Sequence, residues 1–189
     1  VEATTSEGNR VRIAAPVKRG ANVRLAGEDL REGEELLPKG FALTPAALGI
    51  LASVGLAEVR VHPRPRIAIL TTGDELVDAA TKPGPGQIRD SNVQTMCGQA
   101  AAFGAVSVPI PRVRDTREAV TAALARARTE ADVVVTNGGI SVGDYDFVKA
   151  VLVELGAREV FWKVKQKPGG PLGFWLLDGI PVFGIPGNT

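Results

Sequence analysis

"DVVVTNGGISVGDYDFVKAVLVELG", residues 132–156, predicts a strand, a crowded loop and a helix in direct succession. The first six residues contain three consecutive valines, which is typical of a short strand buried on both faces of a sheet. The segment from Tyr145 to Gly156 predicts a helix with one apolar stripe, formed by Val148, Val151, Leu152 and Leu155. A strand that leads through a loop into a helix is the repeating unit of α/β proteins.

The same alternation extends over most of the chain. Buried strands are predicted at "IAILTT" (67–72) and "AVSVPIP" (105–111), and helices at residues 91–104 and 115–128. Asp115 and Glu118 have the spacing of a capping box at the start of the second helix. Near the end, "LGFWLL" and "IPVFGI" predict a hairpin that turns at Asp178-Gly179. We therefore expect an α/β fold, a three-layer domain with a mostly parallel sheet.

A different pattern precedes this domain. Residues 1–64 predict a small, partial, β-rich and helical linker domain, and residues 65–189 the α/β domain, with the boundary in "PRPR" at 63–66. In the first part, we expect the first eight residues to be frayed and short strands to alternate with turns from Arg10 onward. A helix is expected to begin after an N-cap at Thr44 and to end at Gly55, before a strand "EVRVH" at 58–62. Because the chain stops straight after "GIPGN", we expect it to be a fragment, truncated at its C-terminal end.

Composition excludes several classes of function. The net charge of +1 gives no electrostatic basis for binding nucleic acid or a membrane surface, and no apolar run is long enough to span a bilayer. Cys97 is the only cysteine, which favours a cytoplasmic location, and His62 is the only histidine. A Ser-His-Asp triad and a multi-histidine zinc site are therefore not expected. A metal would be bound by carboxylate and phosphate oxygens, which favours Mg²⁺.

Polar and glycine-rich motifs follow the predicted strands. In an open α/β sheet, ligands bind outside the carboxyl ends of the strands, so these motifs are expected on one edge. They are "TTGDEL" (71–76), "GQIRDSN" (86–92), "VRD" (113–115), "TNGGISVGDYD" (136–146), "KPGGP" (167–171) and "IPGN" (185–188). Each has an alternative structural role, since Asp90, Ser91, Asn92, Asp115 or Asp144 would also serve as helix caps. Their shared edge is what favours a site.

The chemistry of this edge suits a phosphorylated small molecule. Backbone amides at Gly138, Gly139 and Gly143, with those of Gly187 and Asn188, are placed to hold phosphate or carboxylate groups. Carboxylates suited to a magnesium ion that bridges to phosphate are Asp74, Glu75, Asp144 and Asp146. Lys167 is placed to neutralise an anionic ligand.

Together, these motifs resemble the molybdopterin molybdotransferase family, the molybdenum insertases of molybdenum cofactor biosynthesis. The resemblance extends from Arg10 to Asn188 and includes "FWKVKQKPGGP" (161–171) and "GIPGN" (184–188). It implies an enzyme that binds adenylated molybdopterin, uses molybdate and a divalent cation, and releases AMP. It also implies a homodimer when the protein is full length.

The resemblance assigns roles residue by residue. Catalytic positions are Asp146, Asp115, Glu75 and Lys167, and metal-binding positions are Asp74, Asp144 and Asp146. Positions that bind the pterin substrate are Thr72, Gly73, Asp90, Ser91, Asn92, Gly138, Gly139, Ser141, Gly143, Lys163, Pro186, Gly187 and Asn188. Asp29 matches an acidic position of the preceding domain. The implied mechanism is metal-assisted cleavage of the phosphoanhydride, with Asp146 positioning the ion or the water.

The chain departs from the family pattern in three places. Gly170 stands where a second lysine is usual, although Lys165 is placed to substitute, and Thr189 stands where a proline is usual. The family's terminal β-barrel and one acidic segment from its N-terminal part are also missing. These departures keep open a non-catalytic pterin-binding scaffold. A molybdopterin adenylyltransferase is a further alternative, disfavoured by the "SVGDYD" loop.

Overall fold

The computed structural model describes residues 4–140 and 147–188 of the chain, which separates into two compact units, Val1–Val61 and His62–Thr189. Within the described ranges, no helix has both the length and the apolar character needed to cross a bilayer.

The first unit contains one hairpin and one short helix. Strand β1 (Thr4–Glu7) pairs antiparallel with β2 (Arg10–Ile13). Helix α1 (Pro45–Ser53) begins as predicted, because the Thr44 hydroxyl accepts a hydrogen bond from the Ala47 amide at 3.2 Å. Proline at the first helical position is favourable because its missing N–H has no partner in that turn.

Three expectations for this unit are wrong. Residues 4–7 form a strand rather than a frayed end, since β2 supplies a hydrogen-bonding partner. The segments between β2 and α1 form turns, and "EVRVH" at 58–62 is not a strand. Short apolar runs become strands only where a neighbouring strand pairs with them, and these runs have none within the described residues.

The second unit alternates strands and helices, as the sequence predicts. In chain order its elements are β3 (Arg66–Thr72), β4 (Leu76–Val77), β5 (Ile88–Arg89), α2 (Asn92–Ala102), β6 (Val106–Val113), α3 (Arg117–Glu130), β7 (Val133–Asn137), α4 (Phe147–Glu154), β8 (Arg158–Trp162), β9 (Gly173–Leu177) and β10 (Ile180–Ile185). The predicted start of α4 at Tyr145 lies outside the described residues.

One mostly parallel sheet organises this unit. Its strand order is β6-β3-β7-β10-β9-β8 in the part of the chain that the structure describes. Strands β6, β3, β7 and β10 are parallel, and the predicted hairpin of β9 and β10 extends the sheet on one side. Because β8 and β10 are both antiparallel to β9, they run in the same direction.

Helices cover both faces of the sheet, which gives the expected three layers. On one face, Ala68 and Leu70 of β3 pack in the larger core with residues of α3 and α4. On the other face, Ile69 packs with Val93 and Ala100 of α2. Alternate residues of one strand therefore point into two cores, which explains why its sequence is apolar without interruption.

The start of α3 differs from the capping box expected at Asp115 and Glu118. Thr116 is the N-cap, and its hydroxyl accepts a hydrogen bond from the Ala119 amide at 3.3 Å. The Asp115 carboxylate instead accepts one from the backbone amide of Asp74. Because the Asp115 carboxylate bonds to the loop after β3, the next residue, Thr116, caps α3 instead.

The amino-terminal ends of β3 and β7 are joined by one residue pair, Arg66 and Asp132. The Asp132 carboxylate accepts hydrogen bonds from the Arg66 backbone amide at 2.8 Å and from its guanidinium at 3.2 Å. The backbone hydrogen bond from Arg66, and then that of its side chain, lower the pKa of Asp132 below its ordinary value.

We expect Asp132→Asn to reduce stability at neutral pH and to have less effect in acid. A carboxyl with a lowered folded-state pKa stabilises fully above its unfolded pKa, about 3.9, and stops doing so as the pH falls through the folded pKa. Urea unfolding of both proteins from pH 7 to pH 2 measures this difference. Asp178→Asn removes an exposed ion pair with Arg128 and is the control, with a smaller expected effect. A difference for Asp132→Asn that does not shrink in acid would contradict the assignment.

Candidate functional site

Parallel pairing brings four strand ends to one edge of the sheet, as predicted. Asn137, the last residue of β7, lies opposite Thr71 of β3 and Ile185 of β10. Val113, the last residue of β6, lies opposite Thr72. The segments that follow these strands therefore form a continuous rim, which bounds a cleft.

This cleft has a volume of about 230 Å³. It lies between the rim, the short β4–β5 pair and the start of α2. Its lining, among the described residues, consists of Thr72, Glu75, Leu76, Ile88, Arg89, Asp90, Ser91, Asn92, Asn137, Gly187 and Asn188.

Two asparagine amides connect three walls of the cleft, an arrangement we call the amide clamp (Asn92, Asn137 and Pro186–Gly187). The Asn92 amide nitrogen donates to Asn137 Oδ1 and to the Gly187 carbonyl, each at 2.8 Å. The Asn137 amide nitrogen donates to the Pro186 carbonyl at 2.8 Å. The clamp fixes the start of α2, the end of β7 and the segment after β10 relative to one another, since three such bonds leave little freedom.

Asp90 is a buried carboxylate with a structural role. Its side chain is 4% exposed, accepts a 2.5 Å hydrogen bond from the Thr71 hydroxyl and accepts another from the Val93 amide. The helix-capping alternative therefore holds for Asp90. The Ser91 side chain makes no capping bond. A carboxylate at the first turn of a helix is also favoured by the helix dipole.

Thr72 and the two glycines after β7 pack closely together. A side chain at Gly138 or Gly139 would lie 2.9 Å from the Thr72 hydroxyl, and both glycines have positive φ, +88° and +64°. Thr72 is 7% exposed, and its buried hydroxyl has no hydrogen-bond partner among the described residues. The glycines are thus required by conformation and by space.

Gly73 plays a similar part beside Glu75. A Cβ atom at Gly73 would lie 2.7 Å from one Glu75 carboxylate oxygen, so the glycine leaves space for that carboxylate at the cleft.

The next residue, Asp74, contacts Asp115 and Arg114 instead of the cleft. Its carboxylate accepts from the Asp115 amide at 3.4 Å and lies 3.7 Å from the Arg114 guanidinium, while Asp115 accepts from the Asp74 amide at 3.3 Å.

The acidic residues of the rim are therefore arranged in two places. Glu75 lines the cleft, and Asp74 with Asp115 joins the ends of β3 and β6. Within residues 4–140 and 147–188, no group of three His, Cys, Asp or Glu side chains is arranged to hold a metal ion. Ser141, Gly143, Asp144 and Asp146, which the sequence assigns to this site, lie outside the described residues.

Lys163 and Lys167 lie in the loop between β8 and β9. Because β8 runs in the same direction as β10, this loop leaves the sheet at the edge that carries the rim. Lys163 has φ of +69°, and its amide donates to the Leu172 carbonyl at 2.9 Å. Neither lysine is among the described residues that line the cleft.

Gly170, which stands where a lysine is usual, lies in the same loop. A Cβ atom there would be 3.0 Å from the Gln166 carbonyl oxygen, so a larger residue requires the loop to shift.

The sequence that forms the rim matches a known domain family. A family model described as "Probable molybdopterin binding domain" matches residues 68–189, and one described as "MoeA N-terminal region (domain I and II)" matches residues 1–55. The chain belongs to the molybdopterin-binding domain family.

Named relatives of similar sequence extend this result. The chain is 38% identical over 190 residues to a molybdopterin molybdenumtransferase from Nostoc and 36% identical over 187 residues to one from Haemophilus influenzae. Both alignments cover 99% of this chain, but 44% and 46% of those proteins, so the chain spans less than half the length of these curated relatives. A crystal structure of a molybdopterin biosynthesis MoeA protein from Pyrococcus horikoshii matches 98% of this chain and 46% of its own, with a TM-score of 0.75 and 29% identity.

The sequence did not identify every residue of the cleft in this molybdopterin-binding domain. Asn137, Arg89, Leu76 and Ile88 line it; the motifs that contain them were expected on this edge, but none of the four was assigned a role. Asn137 carried a usable signal, since it is a polar residue at the carboxyl end of a buried strand. Leu76 and Ile88 carried no such signal of their own, because their position in the cleft depends on the pairing of β4 with β5.

We expect Gly139→Ala to destabilise the domain by about 2–4 kcal/mol, since it combines strain at positive φ with overpacking. The added methyl would lie 2.7 Å from Val148 Cγ2. Gly179→Ala is the matched control, because Gly179 has φ of +84° but nothing within 4 Å of its Cβ position. The control should cost about 1 kcal/mol by urea unfolding. Equal losses of unfolding free energy in the two variants would show that the contact with Val148 adds nothing to the cost of the substitution.

We expect Asn137→Asp to cost about 2 kcal/mol, since the carboxylate cannot donate to the Pro186 carbonyl and is left buried beside it. Thr136→Val, one residue earlier on the same strand, is the control. Within the part of the chain that the structure describes, the buried Thr136 hydroxyl has no hydrogen-bond partner, so its replacement should change the free energy of unfolding by less than about 0.5 kcal/mol. If both variants unfold at the same urea concentration as the parent, the clamp contributes nothing to stability.

Proposed function

We propose that this chain is part of a molybdopterin molybdenumtransferase, an enzyme of molybdenum cofactor biosynthesis. It binds adenylated molybdopterin and inserts molybdenum from molybdate with release of AMP. The single observation that carries the proposal is similarity over 99% of the chain to proteins of that name. Two functional domains at 1–64 and 65–189, a homodimer when full length and a cytoplasmic location belong to the same proposal.

The rim supports this proposal through its chemistry. Gly138 and Gly139 are compatible with a ligand that approaches the backbone closely, because neither has a side chain and larger residues do not fit. The clamp holds Gly187 beside them, and a Cβ atom at Gly187 would lie 3.4 Å from the Gly138 Cα. Fixed backbone groups bind an anion without the entropy loss of ordering long side chains.

In the proposed reaction, a water hydroxyl joins the adenylate phosphorus and the phosphoanhydride P–O bond breaks. The remaining proton goes to the departing molybdopterin phosphate, and AMP leaves. Molybdate, the second substrate, exchanges one oxide for the two dithiolene sulfurs, and that oxide leaves as water with the two thiol protons. Asp146 orients the attacking water, and Lys163 and Lys167 compensate the charge of phosphate or molybdate. Glu75 and Asp115 are the further acidic residues of the site.

Mg²⁺ fits this donor set in chemical type, since Asp74, Asp144 and Asp146 offer hard carboxylate oxygens. When bound, it would neutralise phosphate oxygens and so favour cleavage of the anhydride. The Asp74 carboxylate already accepts a hydrogen bond from Asp115, which holds it at the rim.

Titration calorimetry of this chain with AMP and Mg²⁺ tests the site. Asp146→Ala should weaken AMP binding by about 10- to 100-fold, the loss expected when a charged group that contacts ligand or ion is removed. Asp178→Asn, in the turn that begins β10 at the opposite edge of the sheet, should leave the affinity unchanged. Absence of AMP binding at millimolar concentration, or equal affinities in all three proteins, would contradict the assignment.

Gly170 favours a second candidate, a non-catalytic pterin-binding scaffold. The loop conformation has a carbonyl 3.0 Å from the position of any Cβ at residue 170, so it is adapted to the absence of the usual lysine. A molybdate-dependent assay of AMP release from adenylated molybdopterin separates the candidates. Binding without release supports the scaffold, and release supports the enzyme.

A further inference from the structure

Strand β6 contains one more residue than β3 where the two strands approach the rim. Leu70 of β3 pairs with Ile110 of β6. Two residues later Thr72 pairs with Val113, so one residue of β3 lies opposite two of β6. Such an insertion is a β-bulge, and it interrupts the ladder of backbone hydrogen bonds locally. The first inserted residue is a proline and has no amide hydrogen, so Arg112 carries the only backbone N–H of this bulge.

Arg112 adopts a backbone conformation that is unfavourable for a residue with a side chain. Its φ is +55°, in the left-handed region, where the Cβ atom lies too close to the following carbonyl oxygen. Its guanidinium lies 3.0 Å from the Asp78 carboxylate, but both side chains are about half exposed, so this ion pair contributes little. Another contact must hold the bulge in place.

A buried pair of hydrogen bonds, which we call the bulge relay (Arg112, Thr71 and Asp90), provides that contact. The Arg112 N–H donates to the Thr71 hydroxyl oxygen at 3.0 Å, and this hydroxyl donates to the Asp90 carboxylate at 2.5 Å. A hydroxyl has one hydrogen, so its donation to Asp90 directs its lone pairs to the Arg112 N–H. The Val93 amide donates to the other carboxylate oxygen at 3.1 Å and fixes its orientation. Because Thr71 is fully buried and Asp90 is 4% exposed, water does not compete for these bonds.

The bulge decides which residue after β6 comes opposite Asp74. Asp74 and Asp115 each lie two residues beyond the pair that follows the bulge, and the amide of each donates to the carboxylate of the other. Without the additional residue, the register would move by one position and bring Arg114 opposite Asp74. The Arg114 guanidinium is already 3.7 Å from the Asp74 carboxylate, so it is close enough to take that place.

We propose that Thr71 and Asp90 are positioning residues for Asp115. The relay holds Arg112 in the bulge, and the bulge places a carboxylate instead of a guanidinium opposite Asp74. Asp90 therefore acts through the backbone of β6, whereas the sequence assigned it to the substrate. The inference rests on the proposed function for the part that Asp115 plays, and it adds how the fold supplies that carboxylate.

Amide NMR spectra of the full chain test the positioning without any ligand. Thr71→Val removes the hydroxyl but keeps the branched shape, so we expect it to shift the amide resonances of Asp74 and Asp115 and to accelerate their hydrogen exchange. Thr71→Ser retains the hydroxyl and should leave both resonances close to those of the parent. Adding Arg112→Gly to Thr71→Val should restore them, because glycine adopts a positive φ without support.

Calorimetric titration with AMP and Mg²⁺ tests whether this positioning contributes to binding. We expect Asp115→Ala and Thr71→Val each to weaken the affinity about tenfold, and the double variant to bind no more weakly than Asp115→Ala alone. Residues that act through one another give such non-additive losses, whereas the losses of independent residues multiply.

Thr136→Val is the matched control for Thr71→Val. Thr136 is also a fully buried threonine, on the neighbouring strand β7, and its hydroxyl has no hydrogen-bond partner in the described part of the chain. Its replacement should change neither the two resonances nor the affinity. Urea unfolding checks that each variant is folded. If Thr71→Val does not fold, Asp90→Asn, which replaces one acceptor oxygen of the relay, takes its place in both experiments.

The inference is overturned if Thr71→Val leaves the Asp74 and Asp115 resonances unchanged, or if Thr71→Ser disturbs them as much as Thr71→Val does. It is also overturned if the losses of affinity multiply in the double variant. AMP binding that is weakened by Asp115→Ala but not by Thr71→Val would leave the proposed function intact and remove this inference alone. Absence of AMP binding to the parent would remove the proposed function, and the spectra would still decide whether the relay positions Asp115.

Discussion

The site depends on the parallel pairing of β7 with β3 on one side and β10 on the other. Parallel strands all point their carboxyl ends the same way, and the register places Asn137 opposite both Thr71 and Ile185. Residues that are far apart in sequence thus become neighbours at one edge. The side chain of Asn137, at the centre of this edge, connects the start of α2 with the segment after β10 through its hydrogen bonds.

The segments of the rim are held in position by small residues, asparagine amides and backbone groups more than by charged side chains. Glycines after β3 and β7 leave space that Thr72 and Glu75 occupy, and asparagine amides hold the segment after β10. The buried carboxyl group of Asp90 is engaged in holding α2, and Asp74 with Asp115 holds β3 to β6. Much of the polarity at this edge is thus structural, and it leaves a limited set of groups to contact a ligand.

Sequence patterns were sufficient to predict the alternation of strands and helices along the second unit and the location of the rim. Uninterrupted apolar strands between amphipathic helices require burial on both faces, as the division of Ala68, Ile69 and Leu70 between two cores demonstrates. Patterns could not separate ligand-binding from structural polar residues, because the residue types that cap helices, as Asp90 and Thr116 do here, are also those that bind ligands. They also could not assign strands in the first unit, where a partner strand decides the outcome. Residues such as Ile88 enter the cleft through pairing over a distance, which local sequence does not encode.

The sequence Asn137-Gly138 has a consequence for chemical durability. Asparagine before glycine is the pair in which the following backbone nitrogen most readily attacks the side-chain amide, expelling ammonia and leaving an acidic residue. Here that nitrogen donates to the Ile185 carbonyl at 3.1 Å, and the amide it would attack is held by Asn92 and Pro186. The folded rim therefore restrains both reacting groups. Deamidation of Asn137 should therefore proceed through molecules in which the edge of the sheet has opened, so that its rate reports on local unfolding.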